Sequence, residues 1–149
     1  MFVDEACNPT VVVAEPDTGI ADAARRMREY HVGCVVVVER EGGTMRPVGI
    51  VTDRDLVVEV LAQQVQMEAL TLADLMAQPL ITAEENEDLL DALDRMREAG
   101  VRRAPVVDAS GRLRGILAVD DVLELLVDAL GHIPRLMHRE RDAELQRRP

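Results

Sequence analysis

Lysine and tryptophan are absent from the chain, and the aromatic side chains are reduced to Phe2 and Tyr30. Each gap removes a class of function. Without lysine there is no Schiff-base nucleophile and no phosphate loop of the Walker type. The chain also lacks stacking platforms, and its 28 acids against 17 bases give a formal net charge of -11. No nucleic-acid partner is expected, because that affinity rests on phosphate neutralisation and base stacking. Long apolar runs are missing too. The longest, Cys34 to Val38, falls far short of the ~20 residues that span a bilayer, so no membrane partner is expected. The opening MFVDEACNPT carries acids and no apolar stretch of a signal peptide. Cys7 and Cys34 are too few for a disulfide framework or a metal cluster. A soluble cytoplasmic protein is the expectation. What remains is aliphatic: 48% of the 149 residues are hydrophobic, and all 17 bases are arginine.

The chain repeats itself. Residues 10–39 laid over 79–108 without a gap are identical at eleven of thirty positions, including Arg26-Met27-Arg28-Glu29 against Arg95-Met96-Arg97-Glu98. Ordinary composition gives roughly two or three matches. After a three-residue difference in length, GIVTDRD at 49–55 answers GILAVDD at 115–121. The organisation is a first copy over 7–62, a linker over 63–78, a second copy over 79–130 and a charged tail over 131–149.

Both copies read as β-α-β-β-α. Ile20, Ala23, Ala24 and Met27, and then Leu89, Ala92, Leu93 and Met96, recur at the spacing of one apolar helical face. Asp17 and Asn86 stand just before these helices as caps. The pattern predicts strands at Cys34–Val38 and Pro47–Val51, then Ala104–Val107 and Leu113–Leu117, joined by the polar loops EREGGTMR and DASGR. Short leading strands are expected at Val11–Val13 and Leu80–Thr82, and closing helices over Asp53–Ala62 and Asp120–Leu130. One copy of about 60 residues buries too little surface to be comfortable alone; two copies packed sheet to sheet would share one core. Leu72, Leu75 and Met76 mark a helical turn in the linker. The tail, with five Arg against three acids, reads either as a charged amphipathic helix that meets a partner or as a solvated, frayed terminus.

These residues carry a resemblance. The tandem β-α-β-β-α repeat, the phrases GIVTDRD and GILAVDD, the strand phrase VRRAPVVD and the linker phrase LADLMAQP resemble the cystathionine-β-synthase (CBS) domain pair, or Bateman module, over residues 7 to 130. The resemblance implies an α+β fold of two repeats about a pseudo-twofold axis, with small three-stranded sheets packed with helices. It implies two clefts for adenosyl ligands such as AMP, ADP, ATP, NAD or S-adenosylmethionine, and a sensor role toward a partner protein without catalysis of its own. It also implies a homodimer through helices, to which Leu56, Val60, Leu123 and Val127 would contribute. The residues outside the copies are too few for an effector domain, so a stand-alone module is expected.

The chemistry of such a cleft can be stated independently. A ribose diol is gripped by an ionised carboxylate, a phosphate by a hydroxyl, helix N-terminal amides and arginine, and adenine by an apolar slot. GIVTDRD supplies Thr52 and Asp55 at a helix start; the plainer reading is that Asp53 caps the helix and Asp55 favours its dipole. By the resemblance, Ile50 and Val51 would line the adenine slot, while Ile81, Arg102 and Arg103 from the second copy would complete the cleft. The other cleft would use Val12, Leu117 and Asp121. It is poorer, because Ala118 replaces the threonine, and Gly33 and Cys34 stand where the first cleft has its arginines. In the first cleft, Asp120 and Asp121 in series disfavour a polyphosphate unless Mg²⁺ intervenes, which favours AMP or a neutral-tailed adenosyl ligand over free ATP. No cofactor is required, and a ligand-free dimerisation scaffold of the same fold is the alternative function.

Overall fold

The computed structural model describes residues 1–76 and 78–147. A single helical turn, α1 (Val3–Ala6), precedes the first copy. That copy runs β1 (Val13–Ala14), α2 (Ile20–Tyr30), β2 (Cys34–Glu41), β3 (Thr44–Thr52) and a closing helix that opens as α3 (Asp53–Asp55). The short helix α4 (Leu72–Leu75) leads into the second copy: β4 (Ala83–Glu84), α5 (Leu89–Ala99), β5 (Arg103–Val107), β6 (Leu113–Ala118) and α6 (Val119–Arg147). Each copy builds one three-stranded sheet, ordered β1-β2-β3 and β4-β5-β6, with the leading strand parallel to its neighbour and the hairpin antiparallel. This is the α+β repeat expected from the sequence. A register shift falls between Val37 and Val38 in one sheet and between Val106 and Val107 in the other, so even the bulge is duplicated.

Local chemistry moves several boundaries. The leading strands begin later than the apolar runs, at Val13 and Ala83. Asp17 and Asn86 do not cap. Thr18 N–H closes a turn onto Glu15 O, which delays α2, and Gly19 precedes it without a side-chain cap; Asp88 caps α5 by accepting from Leu90 N–H at 2.9 Å. Both helices end in a left-handed residue at equivalent positions, Gly100 with φ 69° and His31 with φ 54°. Glycine adopts that conformation freely, whereas an L side chain crowds the following carbonyl. His31→Gly is therefore expected to raise stability by about 1 kcal/mol, and Gly100→Ala to lower it by a similar amount, both read from urea unfolding. The first hairpin loop contracts to Gly42-Gly43, both at positive φ between the paired Glu41 and Thr44, as a two-residue turn of this hand requires. The second keeps a five-residue loop organised by Asp108. Its carboxylate accepts from the Ser110 and Arg112 amides and from Arg112 Nε at 2.8–3.0 Å, and the Arg112 amide bond leads the contacts that hold its pKa below the usual range.

The core is three clusters rather than one shared interior. One belongs to the first copy (Ile20, Ala23, Val35, Val37, Val51, Val60) and one to the second (Leu89, Ala92, Met96, Val106, Leu117, Val122). A third joins the sheets through Cys34, Val36, Val38 and Ile116. The closing elements are exchanged. Val3 and Ala6 of α1, at the start of the chain, pack into the second copy's core, while Leu72 of α4 packs into the first copy's. The backbone repeats the exchange: Val3 N–H donates to Glu87 O and Leu89 N–H to Met1 O, as Leu72 N–H donates to Thr18 O.

The two closing helices diverge. After α3 the first copy winds more loosely over Leu56–Leu61, with Ala62 N–H bonded back to Val57 O and Val65 N–H to Val60 O. Such i→i+5 winding is rare. The second copy's equivalent, α6, runs 29 residues and carries the tail as helix to Arg147. Gly131 and Pro134 lie inside it; together they cost about 4 kcal/mol relative to alanine in a helix interior. Among the described residues no helix is long and apolar enough to cross a membrane.

Candidate ligand cleft between the copies

Thr52 ends β3 and caps the helix that follows. Its Oγ1 accepts from Asp55 N–H at 3.2 Å, and Asp55 Oδ2 accepts from Thr52 N–H at 2.8 Å. The Thr-x-x-Asp phrase is thus a reciprocal capping box, and Thr52, not Asp53, is the cap. The box pins one carboxylate oxygen of Asp55 and fixes the direction of the other. Asp53 N–H is tied to Gly33 O at 2.9 Å.

The second copy brings its arginines to the same place. Arg102 follows the end of α5 and Arg103 begins β5; Val119 N–H donates to Arg102 O at 3.0 Å, which binds this turn to the start of α6. Arg102 Nη2 reaches Asp120 Oδ1 at 2.9 Å, with both side chains well exposed. The Arg103 guanidinium lies beside Gly33: a Cβ there would stand 3.2 Å from Nη2 and 3.5 Å from Asp53 Oδ2. Burial pushes the thiol of neighbouring Cys34 up; Arg103 opposes that shift and Asp53 adds to it, so Cys34 behaves as a protonated core residue.

Between these elements lies a cleft of about 440 Å³ lined by Ile50, Thr52, Asp53, Arg54, Asp55, Arg102, Arg103 and Asp120. Five of the residues picked from sequence meet here: Ile50, Thr52, Asp55, Arg102 and Arg103. In a chain of net charge -11 the cleft sets three arginines against three aspartates. Arg54 was not singled out by the sequence, although it sits inside the motif, where a three-residue helical turn places it on the cleft wall.

Other sequence-selected residues lie elsewhere. Val51 is fully buried in the first core, because alternate strand residues face opposite sides and Ile50 and Thr52 take the cleft side. Ile81 lines a different cavity, of about 550 Å³, with Thr82, Glu84, Glu87 and Arg95. There the cation is already engaged: Arg95 is ion-paired to Glu87 and donates to Thr82 O at 2.8 Å. Of the set assigned to the second cleft, Leu117 is fully buried in the second core, Val12 packs against the first core, and Asp121 is half-buried in the first turn of α6. Of the residues offered for a dimer contact, Val60 is buried and Leu56 packs against the first core, whereas Leu123 and Val127 are exposed. Among the described residues no three or more His, Cys, Asp or Glu side chains gather as a metal site.

Comparison with known proteins adds context. The CBS domain model matches residues 3–62 and 72–128. The protein MK0525 of Methanopyrus kandleri is 36% identical over 123 residues, 83% of this chain, and the chain spans only 61% of its length. The CBS domain-containing protein YhcV of Bacillus subtilis is 31% identical over 80% of this chain and 81% of its own. Among solved structures, the CBS domain pair of protein MJ0100 in complex with 5-methylthioadenosine and S-adenosyl-L-methionine superposes with a TM-score of 0.75 at 25% identity, covering 87% of this chain and 98% of that one.

Proposed function

The chain belongs to the CBS-domain family as a tandem pair, and from that membership we propose that it is a regulatory module whose one competent cleft binds an adenosyl ligand. CBS domains are in general non-catalytic regulatory modules. The observation that carries the proposal is the meeting, in one cleft, of Ile50, Thr52 and Asp55 from one copy with Arg102 and Arg103 from the other. Asp55, aimed by its capping box, accepts from the ribose hydroxyls; Ile50 lies against the base; Thr52 and the arginines hold phosphate. MJ0100 holds adenosyl ligands on the same fold, which supports the class. Because both copies contribute, a ligand with higher affinity for one packing of the copies shifts the population toward it and changes the surface offered to a partner protein. Self-association of two chains through Leu123 and Val127 is part of this reading.

Calorimetry with AMP, ADP, ATP, NAD and S-adenosylmethionine tests it. At least one ligand is expected to bind, and Asp55→Ala and Arg103→Ala are each expected to weaken it about 10- to 100-fold, the loss for a hydrogen bond to a charged group. Equal heats for wild type and both variants would sink the assignment. A second reading, a ligand-free dimerisation scaffold, is favoured by one fact: Arg102 and Asp55 already have partners within the chain. Thermal shift separates the two, since a ligand of the native state raises Tm with concentration; no shift with any of the five compounds favours the scaffold.

A further inference from the structure

α6 is where the two copies part company. The family match ends at residue 128, but the helix continues to Arg147. Along it Leu123, Leu126, Leu130, Ile133 and Met137 recur at three- and four-residue spacing, each between 42% and 65% exposed. This stripe runs without a break from the matched part into the extension, covering about 20 Å at 1.5 Å per residue. Val122 is the buried residue of the helix. An apolar stripe of this length facing water marks an interface, and a helix interrupted by Gly131 and Pro134 needs contacts from outside itself to hold.

The charges say what covers it. Val119–Leu130 carries Asp120, Asp121, Glu124 and Asp128 and no base. Gly131–Arg147 carries Arg135, Arg139, Arg141 and Arg147 with two histidines, against three acids. Two such helices side by side in parallel set four acids against four at one end with no base to relieve them, while the arginines of both lie together at the other, among three acids each. Turned antiparallel, the acidic half of each lies along the basic half of its mate, and their dipoles oppose. We propose that α6 pairs with α6 of a second copy in antiparallel orientation, stripe to stripe, so that the extension sets how two modules face each other. This rests on the self-association proposed above and adds its surface and its direction.

Sedimentation equilibrium on the full chain and on the Ile133→Asp, Met137→Asp double variant tests the surface. Both positions lie beyond the family-matched residues and are more than half exposed, and circular dichroism checks that the sheets persist. The wild type is expected to dimerise, and the variant to dissociate at least about tenfold more readily. A monomeric wild type overturns both this proposal and the self-association it builds on. A dimer indifferent to the variant overturns this proposal alone, and so does a stripe that binds only a protein of different sequence. Direction is read by spin labels on Arg141→Cys in a Cys7→Ser background. Arg141 is eleven residues from the stripe's midpoint at Leu130, so antiparallel labels stand about 33 Å apart along the axis. A separation of about 10 Å, the spacing of parallel neighbours, overturns the orientation.

Discussion

Truncating Leu72 to alanine is expected to lower stability by about 3 kcal/mol, the cost of emptying a buried leucine site. By position Leu72 is a linker residue, and a linker substitution on a flexible tether would change stability by less than about 0.5 kcal/mol. The side chain is nevertheless fully buried in the first core, held there by the Leu72 N–H to Thr18 O bond at 3.0 Å and by Ala73 N–H to Pro16 O. Urea unfolding of Leu72→Ala beside Ala73→Ser, an exposed neighbour, supplies the contrast. Matching midpoints for the two variants would mean that α4 does not close the first core.

Gly115→Ala is expected to cost a similar amount, about 3 kcal/mol, and the equivalent Gly49→Ala about 2 kcal/mol. A Cβ on Gly115 would stand 2.2 Å from Cys7 Sγ and 2.6 Å from the backbone oxygen of Asn8. Asn8 and Ile116 exchange both of their backbone hydrogen bonds at 2.9 Å, so the strand can make room only by breaking that pair. At Gly49 the obstacle is the Met76 side chain, with Sδ 2.5 Å and Cβ 2.7 Å away. The unbranched thioether can turn aside, but Cβ moves only with the backbone after α4, which one bond, Met76 N–H to Leu72 O, ties down. Denaturant midpoints give the ranking, and hydrogen exchange at residues 3–8 gives the location: Gly115→Ala should release the amides of Val3 and Asn8. Equal losses at the two glycines would contradict the argument.

The duplication was legible because identical residues at a constant offset need no structural knowledge, and the cleft was legible wherever its residues lay in a motif that both copies keep. Asp55 falls in that class, answered by Asp121; Thr52 lies in the same phrase although the second copy has Ala118 there, and the arginines stand out as bases in an acidic chain. Val51 did not, because a strand phrase of consecutive apolar residues does not say which alternate set faces the cleft. The exchange of α1 and α4 was hidden for a different reason. Val3-Asp4-Glu5-Ala6 and Leu72-Ala73-Asp74-Leu75 stand at the same offset of 69 as residues 10–39 and 79–108, yet share no residue at matched positions; only burial and backbone hydrogen bonding reveal them as equivalent. The loose winding of Leu56–Leu61 left no trace either, since LVVEVL is equally compatible with an ordinary helix. For α6 the local signals point the other way: Gly131 and Pro134 are residues at which a helix is expected to stop, and the structure carries it through both.

The crossed placement of α1 and α4 has a consequence for any chain that holds a single copy. A polypeptide holding only one copy would possess a leading helix and a core that this same helix does not fill. It could close that core only by receiving the helix of another molecule while giving up its own. Two such molecules would form a pair with swapped ends, and joining them head to tail through the segment at 63–70 turns a reciprocal loan between strangers into an internal fastening. The join also removes the concentration dependence of that fastening, so one chain holds shut what two one-copy chains would have to meet to complete.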